Sequence, residues 1–162
     1  MPTVHAQANI DVRSDPDAPF DVVVSDIVAV VVDSESMVGQ RPLDSGPLRP
    51  GFRWEQTVIH NRKRCRSEWV VTDVGQGRVL ESTMRHFCAD AQRETRGGER
   101  WEFDRVDETL TVVRLHSWQH VPEPLTWLVR RFGGGWRHSR ELLLCKRLLN
   151  VQHRVERAVP QS

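Results

Sequence analysis

The sequence predicts an α+β domain: an antiparallel sheet followed by one long C-terminal helix. Three observations carry this expectation. Residues 52–120 break into five segments whose apolar and charged residues alternate, the period of half-buried strands. Residues 3–13 alternate in the same way, with Val4, Ala6, Ala8, Ile10 and Val12 on one side and His5, Gln7, Asn9, Asp11 and Arg13 on the other. Beyond Pro122 and Pro124 the apolar spacing changes to three and four, the period of a helix. A chain of 162 residues fits one domain of ordinary size.

The elements follow in chain order. Strand 3–13 ends at Ser14-Asp15-Pro16-Asp17-Ala18-Pro19, where Asp17 suits a helix N-cap and Pro19 the first turn. A short helical element from about 19 to 32 is expected, although its valine-rich composition favours a strand. Residues 42–51, with Pro42, Gly46, Pro47, Pro50 and Gly51, read as a loop. Strands are expected at 52–60, 63–73, 78–88, 93–105 and 109–120. A turn at His60-Asn61 sets Arg53 opposite Glu68 and Glu55 opposite Arg66. Turns at Gln76-Gly77 and Asp90-Ala91 set Glu68 opposite Arg85 and Glu81 opposite Arg100. One face is then laced with ion pairs. The other carries Phe52, Trp54, Gln56, Val58, Cys65, Ser67, Trp69, Val71, Leu80, Ser82, Met84, His86, Thr95, Gly97, Glu99, Trp101 and Phe103.

The final strand admits two facings. One points Val113, Leu115, Ser117 and Gln119 inward; the other points Arg114, His116 and Trp118 inward. The first is preferred because it keeps Val113 and Leu115 from water. The helix at about 122–157 runs through Leu125, Leu128, Val129, Phe132, Trp136, Ser139, Leu142, Leu143, Lys146, Leu149 and His153. Gly133-Gly134-Gly135 interrupts it, at a cost of about 3 kcal/mol in helix propensity relative to alanine. A kink or a joint is expected there.

Composition excludes several classes. The net charge of +1, from 23 basic and 22 acidic residues, gives no field that would draw nucleic acid or an anionic membrane. No apolar run is long enough to span a membrane, and the N-terminus shows no leader pattern. Cys65, Cys88 and Cys145 are widely spaced and form no CxxC, so neither a zinc site nor a disulfide framework is suggested, and a reducing cytoplasm is expected. His116 and His120 are four apart, but on a strand that is about 13 Å, too far to share one ion. No metal and no cofactor is expected.

Three stretches resemble the START-like (SRPBCC) superfamily of polyketide cyclases, dehydratases and lipid-transport proteins. They are Ala18-Pro19-Phe20-Asp21-Val22-Val23-Val24, Arg100-Trp101-Glu102-Phe103 with Thr109-Leu110-Thr111-Val112, and Leu142-Leu143-Leu144-Cys145-Lys146 through Glu156. The resemblance implies the helix-grip fold: a curved antiparallel sheet of about seven strands around the long C-terminal helix, with short helices after the first strand. It is what turns 22–32 from strand to helix. The chain is most similar to the bacterial aromatase/cyclases, for which Trp69 and Trp101 take the positions of pocket tryptophans. That group's serine and arginine, two and four residues after the first tryptophan, are replaced here by Val71 and Asp73.

The three inner tryptophans share their face with small and polar residues, which suits a cavity for a flat or apolar molecule; a filled core is the alternative. The expected ligand contacts are Trp54, Gln56, Ser67, Trp69, Ser82, Met84, Trp101, Leu115 and Ser117 on the sheet, with Phe132 and Trp136 on the helix. Two residues are candidates for moving protons. His86 is one, because a histidine side chain ordinarily exchanges its proton near neutral pH, and Glu99 is the other, facing the same interior unless Gly97-Gly98 forms a bulge that flips it. Arg130, Arg131, Arg137, His138 and Arg140 around the glycines form either a solvated face or a basic mouth for an acidic ligand or acyl-carrier protein. Two functions follow: a cyclase or dehydratase acting on a polyketide-like molecule, or a non-catalytic carrier of an apolar metabolite, acting as a monomer or homodimer.

Overall fold

The structure, a computed structural model, describes residues 3–31, 37–60, 62–75, 78–88, 94–121 and 126–158. Seven strands form one antiparallel sheet: β1 (Thr3–Arg13), β2 (Met37–Pro42), β3 (Arg53–His60), β4 (Lys63–Gly75), β5 (Val79–Cys88), β6 (Glu94–Arg105) and β7 (Leu110–His120). Their order is β1-β7-β6-β5-β4-β3-β2, a meander closed by β1 beside the last strand. Helices α1 (Ala18–Ser25) and α2 (Ile27–Val30) follow β1, and α3 (Thr126–Ala158) ends the fold. The sheet is curved, and α3 lies against its inner face, nearest β1 and α1.

The valines of 22–32 are helical after all up to Val30. Pro19 sits in the first turn of α1, and the Asp26 side chain accepts from the Ala29 amide to start α2. Burial of Val23, Ile27 and Val30 against α3 outweighs the weak propensity cost of β-branched residues in a helix. β2 is an edge strand that the loop-like composition around Pro42 conceals. It carries a register shift between Met37 and Gly39 and ends on proline, both devices that blunt an exposed edge. The expected turns Gln76-Gly77 and Asp90-Ala91, and the helix start at 122–125, lie outside the described residues.

The face assignment holds throughout, and Val113, Leu115 and Ser117 point inward. One pairing is corrected. β3 and β4 close on His60 and Lys63, with Arg62 at φ 63°, so their register is displaced by two residues from the expected one. Parity, and therefore facing, is unchanged by a shift of two. The shift sets Glu55 opposite Glu68, and Arg66 relieves that repulsion by binding Glu55 at 3.6 Å and Glu68 at 2.8 Å. Glu68 faces Arg85, and Glu81 faces and binds Arg100 at 3.0 Å, as expected, while a register shift between Val71 and Asp73 moves the end of the β4–β5 ladder by one residue, so that it closes on Gly75 and Val79.

A second correction concerns α3. Leu142 is 52 % and Leu149 44 % exposed, while the buried stripe is Leu144, Arg147, Leu148, Val151 and Val155. The helix carries apolar residues on two nearly opposite faces, and the buried one includes an arginine. The third is Cys65, which is disulfide-bonded; Cys88 is its register partner across β4 and β5, and Cys145 is free. Wide spacing in sequence gave no sign that Cys65 is bonded.

On the outer face His5 stacks on His116, with ring centroids 5.2 Å apart and a nitrogen–nitrogen hydrogen bond of 3.1 Å. Partial burial, the charge of His5 and that of Arg100 lower the His116 pKa, against an opposing pull from Glu102. A histidine depressed in the folded state stabilises fully above its unfolded value and less as pH falls below it. Two protonated rings also cannot share a hydrogen bond, because neither can accept. His116→Phe should therefore lose less of its melting temperature between pH 7 and pH 5 than the native chain does. Equal losses in thermal melts at the two pH values would contradict this.

Candidate functional site

The concave face under α3 is organised in rows, because neighbouring strands bring alternate residues side by side. One row holds Gln56, Ser67, His86 and Thr95; the next holds Trp54, Trp69, Met84 and Gly97. A third holds Val71, Ser82, Glu99 and Ser117, and a fourth Leu80, Trp101 and Leu115. Trp54 and Trp69 stack with centroids 5.5 Å apart and planes within 6°. The Trp69 indole donates to Gln56 at 2.9 Å, and the Gln56 amide to Gln40 at 3.4 Å. Ser67 Oγ and His86 Nδ1 are 2.7 Å apart. Trp136 and Met84 are half-buried, and the Phe132 side chain lies outside the described residues.

Glu99 faces inward, and no bulge forms at Gly97-Gly98. It is 1 % exposed and is paired: Arg147, itself 2 % exposed, and Arg140 both donate to its Oε1, the latter at 3.1 Å. Arg140 also donates to Ser117 Oγ at 3.0 Å. This cluster ties α3 to β6 and β7. His86 and Glu99 are two rows apart, about 13 Å along the strands, so they do not form one acid–base pair. Arg147 was not identified from sequence, and Arg140 was read only as part of a solvated face or a basic mouth, not as a partner of Glu99. The available signal was physical: a buried carboxylate requires a partner, and Arg140 and Arg147 are two helical turns apart on one face of the helix.

Two groups on the concave face, Trp54 Nε1 and Thr95 Oγ1, are buried without a hydrogen-bond partner. Each such group costs about 1–3 kcal/mol. The inner tryptophans are closed off, with Trp54 and Trp101 1 % and Trp69 2 % exposed. Among the described residues no three of His, Cys, Asp and Glu gather to hold a metal ion. Also among them, no helix is long and apolar enough to cross a membrane.

This architecture is the START-like helix-grip fold. The aromatase/cyclase Zhui from Streptomyces sp. R1128 superposes with a TM-score of 0.63 at 13% identity, covering 99% of this chain and 98% of that one. Norcoclaurine synthase from Thalictrum flavum, solved with dopamine and hydroxybenzaldehyde, gives 0.67 at 10% identity, covering 99% and 90%. A START superfamily protein from Mycobacterium smegmatis gives 0.58 at 14% identity, covering 96% and 99%. At these identities the likeness establishes the fold. No known family profile and no curated protein sequence matches the chain.

Proposed function

We propose that the space between α3 and the concave face binds a small hydrophobic or aromatic, polyketide-like molecule, and that the protein acts on it as a cofactor-independent cyclase or dehydratase. The observation that carries this reading is the Trp54–Trp69 stack laid beside the Ser67–His86 pair. A flat apolar platform adjoins a single polarised base, an arrangement a plain core does not need. The unpartnered Trp54 and Thr95 groups offer hydrogen bonds to ligand oxygens. His86 is assigned the proton-moving role, and Trp69, Met84, Trp101, Leu115 and Trp136 the apolar contacts. Glu99 and Ser117 anchor the floor through the arginine cluster, and Ser82 lies beside Glu99 in the same row. The similarity to an aromatase/cyclase and to norcoclaurine synthase supports a ligand-binding use of the fold without defining this chain's substrate. Titration with 1,8-dihydroxyanthraquinone, a flat uncharged probe, should quench tryptophan fluorescence saturably; no quenching at the probe's solubility limit counts against the site.

A non-catalytic carrier is the second reading. It is favoured by one fact: Glu99 is engaged by two arginines, which leaves His86 as the one described imidazole or carboxylate near the tryptophan platform. A cytoplasmic location is part of the proposal and requires that Cys65, disulfide-bonded in the structure, be reduced in freshly broken cells; an oxidised Cys65 there counts against it. An acyl-carrier protein would meet the exposed Arg131, Arg137 and His138, since Arg140 turns inward.

Because the interior is closed, a ligand must displace part of α3. The helix runs unbroken through Gly133–Gly135, and a Cβ at Gly134 or Gly135 would touch nothing within 4 Å. No packing requirement explains glycine there, which leaves backbone freedom as its use. Gly134→Ala should raise helix stability by about 1 kcal/mol and slow both binding and release of the anthraquinone in stopped-flow fluorescence. Unchanged rates with a more ordered helix would reduce the glycines to a structural detail.

A further inference from the structure

The outer face of the sheet, opposite α3, carries a second concavity. Among the described residues a depression of about 420 Å³ lies over β5, β6 and β7, lined by Thr83, Arg85, Arg96, Trp118 and His120, with Met84 and Gly97 in its floor. That volume admits a molecule of one or two rings. Its wall is built rather than incidental. The Trp118 indole lies against Gly98, where a Cβ would come within 2.3 Å of Trp118 Cζ2 and 2.5 Å of the Ser82 carbonyl. Glycine in a strand interior is unfavourable, and here it is what allows a flat ring to rest on the backbone of a solvent-facing surface.

The rim is basic. Arg85 binds Glu94 with two hydrogen bonds of 2.9 and 2.8 Å, and Arg96 binds the same carboxylate at 2.7 Å. Two guanidinium groups thus share one carboxylate, which leaves the trio one positive charge in excess. The Thr3 hydroxyl engages His120 Nδ1 at 3.0 Å, so the nitrogen left for a ligand is Nε2. Arginine carries five donors, and these bonds use two on Arg85 and one on Arg96. An aromatic surface next to spare guanidinium donors fits a ring that bears an acid group.

We infer that this outer depression binds a flat aromatic anion, its ring on Trp118 and its acid oxygens on Arg96 and Arg85. The site lies on the other side of the sheet from the ligand space under α3, and its test is independent of that reading. The probe is 2-naphthoate, followed by amide and indole NMR signals of the native chain. 2-Naphthylmethanol supplies the ring without the charge, and acetate the charge without the ring. Naphthoate should shift the Gly97 and Gly98 amides and the Trp118 indole at concentrations where neither control does. Arg96→Gln, an exposed change that leaves Arg85 neutralised by Glu94, should weaken it about tenfold or more, the value of one charge-assisted hydrogen bond. Shifts confined to Trp69 and other interior groups, equal shifts with the uncharged alcohol, no shift at all, or undiminished binding to the Arg96→Gln protein would each overturn the assignment.

Discussion

Arg147→Met should lower the melting temperature by roughly 6–20 °C. Arg147 and Glu99 are buried at 2 % and 1 % exposure, and their ion pair joins α3 to the sheet. Removing one member of a buried pair leaves the other charge desolvated, which costs about 3–5 kcal/mol. In a domain of this size each kcal/mol moves the melting temperature by about 2–4 °C. Arg140 keeps one hydrogen bond to Glu99, which favours the lower half of the range. Glu99→Leu should cost a similar amount, and the double change Glu99→Leu with Arg147→Met less than the two single costs summed, because no stranded carboxylate remains. The outer face supplies the contrast. Glu81 binds Arg100 at 3.0 Å in a partly exposed setting, where such pairs contribute about 0.2–1 kcal/mol, so Glu81→Ala should hardly move the melt. Thermal unfolding followed by circular dichroism measures all four. A shift of only a degree or two for Arg147→Met would mean that the pair does not hold the helix to the sheet.

His86→Gln should abolish base catalysis while leaving binding nearly intact. Glutamine keeps a hydrogen-bonding atom for Ser67, now 2.7 Å from the imidazole, but cannot take a proton at neutral pH. A positioned general base contributes about 10²–10⁴-fold. The uncharged, planar probe 5-nitrobenzisoxazole reports such a base directly, because one proton abstraction opens its ring and releases a coloured phenolate. The native chain should accelerate that opening. His86→Gln should lose about a hundredfold or more of the acceleration, with anthraquinone affinity within a few-fold of native. A rate indifferent to the substitution would favour the carrier reading.

Much of the fold was legible because local signals agreed with the tertiary answer. Strict alternation gave strands and facing, and complementary charges gave the β5–β6 register to the residue and the β4–β5 register as far as Val71, beyond which a bulge between Val71 and Asp73 shifts it by one. The β3–β4 register was missed because Arg66 pairs with glutamates in both alignments, so charge matching did not discriminate. β2 was missed because a short edge strand ending in proline has little pattern to display. For α3 the period was legible and the buried face was not. The face chosen by hydrophobicity holds the exposed Leu142 and Leu149, while the buried one carries Arg147, which belongs inside only because Glu99 waits across from it. That is a pairing between residues 48 apart, invisible to any local period. The same holds for the site: Trp54, Trp69 and His86 follow from alternation, whereas the Ser67–His86 contact depends on which strands are neighbours.

On the proposed function, a ligand occupies the space between the tryptophan platform and α3. A crystal structure of the protein grown with 1,8-dihydroxyanthraquinone addresses it directly. The expected result is a ring stacked near Trp69 and Met84, within reach of the Trp54 and Thr95 groups that lack partners, and a displaced N-terminal half of α3 around Gly133–Gly135. An interior still filled by Trp54, Trp69 and Trp101, with the anthraquinone on the surface or absent, would contradict it.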